Sequence, residues 1–459
     1  MLPKEVPAKK RVWSSRLTFL FATIGFAVGL GNIWRLPYTA GENGGGAFLV
    51  VYVIWVAIIG VPLIMAELSL GRSGGGDPPL AWRALAAKSG MEGRWSWAGW
   101  LAILTNLAIM TFYCVIGGWT FAYFWMALQD FAGLGGSGDN ALAFSELLNR
   151  PLSLIGWQGL FIAANVFILI RGFRGGIERM AAVAMPVLFV LLVVMLVLAW
   201  VYGDSASAAA FLFDWKLADV TTQTVTAALG QAFFSVGVGL AVLTTFGAYL
   251  RKDEPIGRLS AAIAGGDTLV ALVAGMAVFP FVFMIGVAPS AGPELIFVTM
   301  QEALSRVGVP AWAAVMFFGL IALAALTSSV ATFEIMAGFG ERRGLGRRTS
   351  LVLFALAVFA LGWLTVFSFN IASEFHPMRL VSPDSDATMF DLIDAVTAGF
   401  LLPLCGWLIA VFFGWRLRAD VLADAVGWSV KSRSFFIWRA TLRYLVTPVL
   451  TFVLIQAII

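Results

Sequence analysis

Charge is scarce in this chain, and so are the residues that carry most enzyme chemistry. Only 12% of its 459 residues are Asp, Glu, Lys or Arg; there is one histidine and there are two cysteines. The single histidine, His376, falls in an outer loop, which argues against a His-based triad or a zinc site. Cys114 and Cys405 both fall inside apolar stretches, so they imply no extracellular disulfide framework. No nucleophile–base pair or metal-ligand cluster stands out, so an intramembrane enzyme is not the reading. The short basic N-terminus runs into an apolar stretch without a small-residue cleavage site, and no removable signal peptide is expected.

What is abundant is hydrocarbon. The chain is 60% hydrophobic, with a mean hydropathy of +0.90. Apolar runs near the ~20 residues needed to cross a bilayer recur along its whole length. Eleven are predicted, at roughly 15–40, 46–70, 96–128, 155–171, 177–202, 223–250, 259–288, 310–340, 348–371, 387–415 and 436–458. Little remains for a soluble domain, and the bilayer is the expected partner. Lys and Arg set the orientation. With the N-terminus inside, the outer segments hold only Arg150, Lys216, Arg306 and Arg379, while Arg35 lies within the first span. An odd number of spans places the C-terminus outside. The pI near 9.2 then reflects topology and does not point to nucleic acid.

Two spans are poor helices. Residues 25–37 read Gly-Phe-Ala-Val-Gly-Leu-Gly-Asn-Ile-Trp-Arg-Leu-Pro, with Gly29 and Gly31 weakening the helix and Asn32 and Arg35 costly in hydrocarbon. The sixth run, Gly230 to Leu240, again places glycines and a hydroxyl inside an apolar stretch. Broken backbone at membrane depth is tolerated only where protein shields it or it lines a cavity. Breaks five spans apart imply two five-helix halves, inverted because five is odd, with a site between the breaks. The expected divisions are a cytoplasmic segment (1–14), a first repeat (15–202), an extracellular loop (203–222), a second repeat (223–415), and a cytoplasmic loop with the eleventh span (416–459). An apolar run, Leu295 to Val298, in a long outer loop at 285–309 with Pro289, Gly292 and Pro293 predicts a segment that dips back as a lid.

These residues resemble a known family. Gly25–Pro37, Glu42–Phe48, Gly60-Val61-Pro62 with Glu67, the Tyr113…Trp119 pair, Arg171–Pro186, Gln231–Gly239, Arg251-Lys252-Asp253, Thr327-Ser328-Ser329 and Asp391…Asp394 are similar to the bacterial neurotransmitter:sodium symporter family. The resemblance covers nearly the whole chain. It implies an all-α polytopic membrane protein with the LeuT fold: eleven transmembrane helices in a 5+5 inverted repeat, with helices 1 and 6 broken. The implied activity is sodium-coupled import of a neutral amino acid, expected to be hydrophobic or aromatic. Two alternatives stand beside it: a sodium-coupled carrier of another small zwitterion, and a non-transporting sensor or channel-like protein on the same fold. The expected location is the bacterial inner membrane; oligomeric state is not implied.

The resemblance also assigns residues. Two Na⁺ sites are implied. Site 1 would use Ala27, Asn32, Ser235 and Asp267, with the substrate carboxylate as a further ligand. Site 2 would use the carbonyls of Gly25, Val28 and Ala324 with the hydroxyls of Thr327 and Ser328. Substrate would meet Phe26, Ala27, Gly29, Leu30 and Gly31 of the first span, and Ile109 and Tyr113 of the third. It would also meet Phe234, Ser235, Gly237 and Leu240 of the sixth, and Ser328 and Thr332 of the eighth. Gly29 stands where monoamine-transporting relatives carry Asp, which favours a substrate bringing its own carboxylate. Gly237 is expected to leave room for a bulky side chain, while Phe26 departs in the other direction. The outer gate would pair Arg35 with Asp394 beneath a lid of Phe234 and Tyr113. The inner gate would place Trp13 beside an ion pair of Lys10 or Arg11 with Glu341. Gly176 and Pro186 resemble a Gly-x9-Pro device for local unwinding. Asp267 stands where chloride-dependent relatives carry Asn, and Ala271 where they carry Ser, so no chloride is expected.

Overall fold

The computed structural model describes residues 12–134, 140–286, 295–306, 308–380 and 385–457. Nine helices in these segments are long and apolar enough to cross a membrane, and a tenth span is bent. In chain order, the first span is the bent pair Arg16–Ala27 and Gly31–Glu42, whose halves meet at 51°. Gly46–Gly74, Gly93–Phe131, Pro151–Leu169 and Phe173–Tyr202 follow as the second to fifth. Ile256–Met284, Trp312–Arg342, Arg347–Ser368, Met389–Arg416 and Arg433–Gln456 are the seventh to eleventh. The sixth span is cut into Thr222–Val236 and Val242–Gly247.

Each break has a local cause. In the sixth span Gly237 and Gly239 take φ of +64° and +93°, a left-handed conformation that ends a helix. Ala241 follows at +63° and is the only non-glycine residue with positive φ among the described residues. Such a residue costs of order 1–3 kcal/mol and persists only where its surroundings hold it. In the first span the helix stops at Ala27 and resumes at Gly31 as a wider turn. A Cβ on Gly29 would lie 2.5 Å from Ser328 Oγ, and one on Gly31 would lie 2.8 Å from the Phe234 ring. Glycine here lets the backbone approach its neighbours closely.

The spans fall into two groups. The sixth packs along the second, the seventh on the second, and the first on the seventh. The third, fourth, eighth and ninth pack on one another, and the eighth also on the fifth. The fifth and seventh spans join the groups by packing on each other, and the first span touches both, through the fifth, seventh and eighth. The break regions of the first and sixth spans therefore lie between the groups. Outside the bundle, Ser205–Phe213 lies on the seventh span with Ala208 and Leu212 buried. The outer segment Leu295–Arg306 turns inward, as its apolar run predicts. Ile296, Phe297, Met300 and Ala303 are buried, and the Phe297 ring lies 5.1–5.9 Å from Tyr123, Trp119 and Phe144. Pro289, Gly292 and Pro293 lie outside the described residues.

Candidate functional site

The two breaks and the seventh span meet in a buried polar cluster. Asn32, Asp267, Ser235 and Tyr52 are all shielded from solvent. Asn32 Nδ2 donates to Asp267 Oδ1 at 2.7 Å and to its carbonyl at 3.1 Å. Ser235 Oγ donates to Asp267 Oδ2 at 2.6 Å, and Tyr52 OH lies 2.9 Å from Ser235 Oγ. Ser235 has one proton, and the nearer carboxylate takes it. Asn32 Oδ1, 3.3 Å from Ser235 Oγ, then has no hydrogen left to accept from that hydroxyl. A carboxylate, an amide oxygen and a hydroxyl oxygen in one dry place form a hard oxygen set short of positive charge. That is suited to an alkali cation. Gln231 donates to the Gly31 carbonyl at 2.8 Å and ties the sixth span to the first beside it.

A second convergence involves the eighth span. Ser328 Oγ donates to the Phe26 carbonyl at 2.8 Å and lies 3.4 Å from that of Gly25. Thr327 Oγ1 donates to the Ala324 carbonyl at 2.9 Å. Gly25 faces Thr327 closely: a Cβ there would come within 3.6 Å of it and within 2.7 Å of Met185 sulfur. Val28, at the end of the first helical half, is fully buried. Gly25, Ala324, Thr327 and Ser328 thus gather around one point. A small void borders Gly25 and Thr327 and is walled on its other side by Ile177, Met180 and Ala181 of the fifth span.

Between these clusters lies a cavity of about 50 Å³, larger than that void. One water needs ~10–15 Å³, so the cavity holds more than a single solvent molecule. All the residues that the resemblance assigns to substrate border it: Phe26, Ala27, Gly29, Leu30, Gly31, Ile109, Tyr113, Phe234, Ser235, Gly237, Leu240, Ser328 and Thr332. Met110 and Leu402 complete the wall and escaped the sequence reading. No wall residue is ionisable except Tyr113. The Tyr113 hydroxyl is buried without a hydrogen-bond partner, and it lies where a Cβ on Gly29 would come within 3.0 Å. One end of the cavity thus offers an unpaired hydroxyl and backbone groups, and the rest is mostly apolar, with the hydroxyl residues Ser235, Ser328 and Thr332 also on the wall.

The expectation that Gly237 leaves room is corrected. A Cβ at Gly237 would lie 2.5 Å from Cζ of Phe26, so the Phe26 ring already fills that space. The outer pair has an aromatic neighbour. Arg35 and Asp394 lie close enough for their charges to act on each other, and the Arg35 guanidinium sits 4.5 Å above the Phe234 ring. Cation–π attraction holds it over the mouth of the cavity.

On the inner side, Trp13 is buried in an aromatic box of Phe19, Phe173, Phe246 and Tyr249. Its Nε1 donates to the Phe246 carbonyl at 3.1 Å. Ser14 N donates to Glu178 at 2.8 Å, and Arg16 pairs with Glu254 at 2.5 Å. Lys10 and Arg11 lie outside the described residues. Glu341 lies 4.0 Å from Arg347, which also pairs with Glu334, while Arg343 pairs with Asp77. Buried acids without a role assigned from sequence include Glu178 and Glu67. Glu178 anchors the N-terminal segment. Glu67 accepts from the Gly239 amide at 3.1 Å and from Thr244 at 3.3 Å, holding the sixth-span break. An acid inside a run as apolar as the second span is the signal for such a role.

The profile of the Sodium:neurotransmitter symporter family matches residues 10–133 and 155–459. The chain belongs to this family. Its members are transporters rather than enzymes. The uncharacterized sodium-dependent transporter YhdH of Bacillus subtilis is 31% identical over 450 residues, 97% of each chain. The sodium-dependent dopamine transporter of Bos taurus is 27% identical, over 98% of this chain and 69% of that protein. The crystal structure of MhsT in complex with L-phenylalanine matches with a TM-score of 0.88 and 31% identity, covering 98% of this chain and 100% of that one. The fold is accordingly the LeuT fold, and the chain is a sodium-dependent multi-pass membrane transporter.

Proposed function

We propose that this transporter imports a neutral amino acid together with Na⁺ by alternating access, without chloride. The observation that carries this reading is the contact between the apolar cavity and the Asp267 cluster. Ser235 borders the cavity and donates to Asp267, and Gly31 borders it on the other side of the same cluster. An amino acid lying with its carboxylate against Gly29, Leu30, Gly31 and the unpaired Tyr113 hydroxyl brings negative charge to that cluster. A Na⁺ held by Ala27, Asn32, Ser235 and Asp267 then neutralises it. Substrate and ion bind better together than apart, and the coupling is reciprocal. A second Na⁺ would use Gly25, Val28, Ala324, Thr327 and Ser328. The absence of a full charge elsewhere on the wall disfavours acidic and basic side chains. The phenylalanine bound in the MhsT complex supports amino-acid cargo.

Chloride independence rests on Asp267. A fixed carboxylate beside the ion supplies the charge that an added anion would otherwise bring. Arg35 over Phe234 and the Trp13 box are read as the outer and inner closures, with the N-terminus cytoplasmic and the C-terminus outside, in the bacterial inner membrane. The second, sixth and seventh spans with the first would rock against the other group. Gly176, in the wide turn Phe173–Glu178, and Pro186 weaken the fifth span beside the small void at Gly25 and would let water reach that ion.

The test is uptake into proteoliposomes. An inward Na⁺ gradient should drive accumulation of a neutral amino acid, unchanged when chloride is replaced by gluconate. Preloaded vesicles should show counterflow, which a sensor on the same fold would not. Binding without counterflow would overturn transport, and loss of uptake in gluconate would overturn the role of Asp267.

A further inference from the structure

We infer that Phe26 sets the size limit of the substrate side chain and restricts this transporter to short-chain neutral amino acids. This rests on the reading of the larger cavity as the amino-acid site. Phe26 occupies the last turn of the first helical half, and its ring borders the cavity while remaining buried. Across from it, Gly237 sits in the left-handed conformation at the sixth-span break. A Cβ there would fall 2.5 Å from Cζ and 2.7 Å from Cε1 of Phe26, distances real Cβ contacts do not reach. The ring therefore abuts bare backbone, and the two residues are complementary in shape. A glycine that looks from sequence like vacant space is the seat of an aromatic ring supplied by another span.

The rest of the cavity gives little compensation. Ile109, Met110, Leu240 and Leu402 are all bulky. Thr332 is pinned because its hydroxyl donates to the Ser329 carbonyl at 2.6 Å, with Met110 sulfur 3.0 Å from the same oxygen. The Phe26 backbone is pinned as well, because its carbonyl accepts from Ser328. The ring thus occupies volume in which a substrate phenyl group would otherwise lie. Truncating a buried aromatic side chain opens a void; an apolar cavity of ~150 Å³ is already enough to take a benzene molecule. Removing the ring converts wall into ligand space without touching the polar end.

The experiment measures competition against Na⁺-dependent binding of radiolabelled alanine to the purified protein, for native protein, Phe26→Ala and Phe26→Leu. Alanine should displace the label at least tenfold more effectively than phenylalanine or tryptophan in the native protein. Phe26→Ala should reduce or invert that ratio by tenfold or more. Phe26→Leu, the milder change, should fall between them and reports on the same point if the alanine variant does not fold. Phenylalanine competing as well as alanine in the native protein would overturn the inference, as would an unchanged ratio in the folded variants. Binding of some amino acids with no dependence on residue 26 refutes the size limit alone. No Na⁺-dependent binding of any of the twenty amino acids to the native protein refutes the cavity assignment with it.

Discussion

Asp267→Asn isolates the charge at the centre of the proposed ion site. The native carboxylate accepts short hydrogen bonds from Asn32 Nδ2 and Ser235 Oγ, at 2.7 and 2.6 Å. Asparagine replaces one acceptor oxygen with an NH₂ group, which then faces a donor. Hydrogen bonds to a charged group contribute about 1.5–3 kcal/mol, and a buried unmatched donor costs about 1–3 kcal/mol. The larger change is electrostatic. A unit charge ~4 Å from a cation interacts by about 4 kcal/mol at an effective dielectric constant of 20. Because the lost hydrogen bonds also weaken the ion-free state, only part of the total appears in Na⁺ affinity. A net loss of about 2–4 kcal/mol corresponds to a roughly 30- to 1000-fold higher half-saturating Na⁺ concentration. The assay is substrate binding titrated with NaCl or sodium gluconate at constant ionic strength. The variant should be nearly inactive in gluconate and recover partly in chloride, because a mobile anion replaces the missing charge. A half-saturating Na⁺ concentration within twofold of native in gluconate would refute this reasoning.

Gly29→Ala places a methyl 2.5 Å from Ser328 Oγ and 3.0 Å from the Tyr113 hydroxyl; substrate affinity should fall at least tenfold in equilibrium binding while the protein remains monodisperse, and native affinity would contradict the placement of the carboxylate. Tyr113→Phe removes the unpaired hydroxyl. A lost hydrogen bond to a charged group of about 1.5–3 kcal/mol predicts a roughly 10- to 100-fold weaker dissociation constant with the ranking of side chains unchanged. Altered ranking would move Tyr113 from the carboxylate end to the side-chain end. Trp13→Ala empties the inner aromatic box and removes the hydrogen bond to Phe246. Large-to-small changes of this kind cost about 3–5 kcal/mol, so amide exchange at 246–250 should speed up markedly; unchanged protection would show that Trp13 does not hold the inner side closed.

The architecture was legible because membrane helices advertise their costs. Gly29, Gly31, Asn32 and Arg35 in one span, and Gly237 and Gly239 in another, are expensive unless the backbone breaks there. The structure breaks at both places. The cavity wall was legible through resemblance, which carries backbone positions well. It carries side-chain packing poorly. Gly237 suggested open space because nothing local in the sixth span reveals that Phe26 of the first span fills it. Arg35 suggested a partner in Asp394, but nothing local to the first span reveals that its guanidinium also lies over the aromatic face of Phe234. Glu67 drew no role from the sequence, because its donors are the Gly239 amide, freed only where the sixth helix breaks, and Thr244. Each of these depends on a contact between distant spans, formed only once the bundle packs.

The most direct measurement is the thermal stability of the purified protein with each of the twenty amino acids, in NaCl and in KCl. A ligand that binds only the native state raises the apparent melting temperature by mass action. At least one neutral amino acid should raise it in Na⁺ and have little effect in K⁺, with no response to glutamate, aspartate, lysine or arginine. Equal stabilisation in the two salts would contradict the shared site of Asp267, Na⁺ and substrate carboxylate.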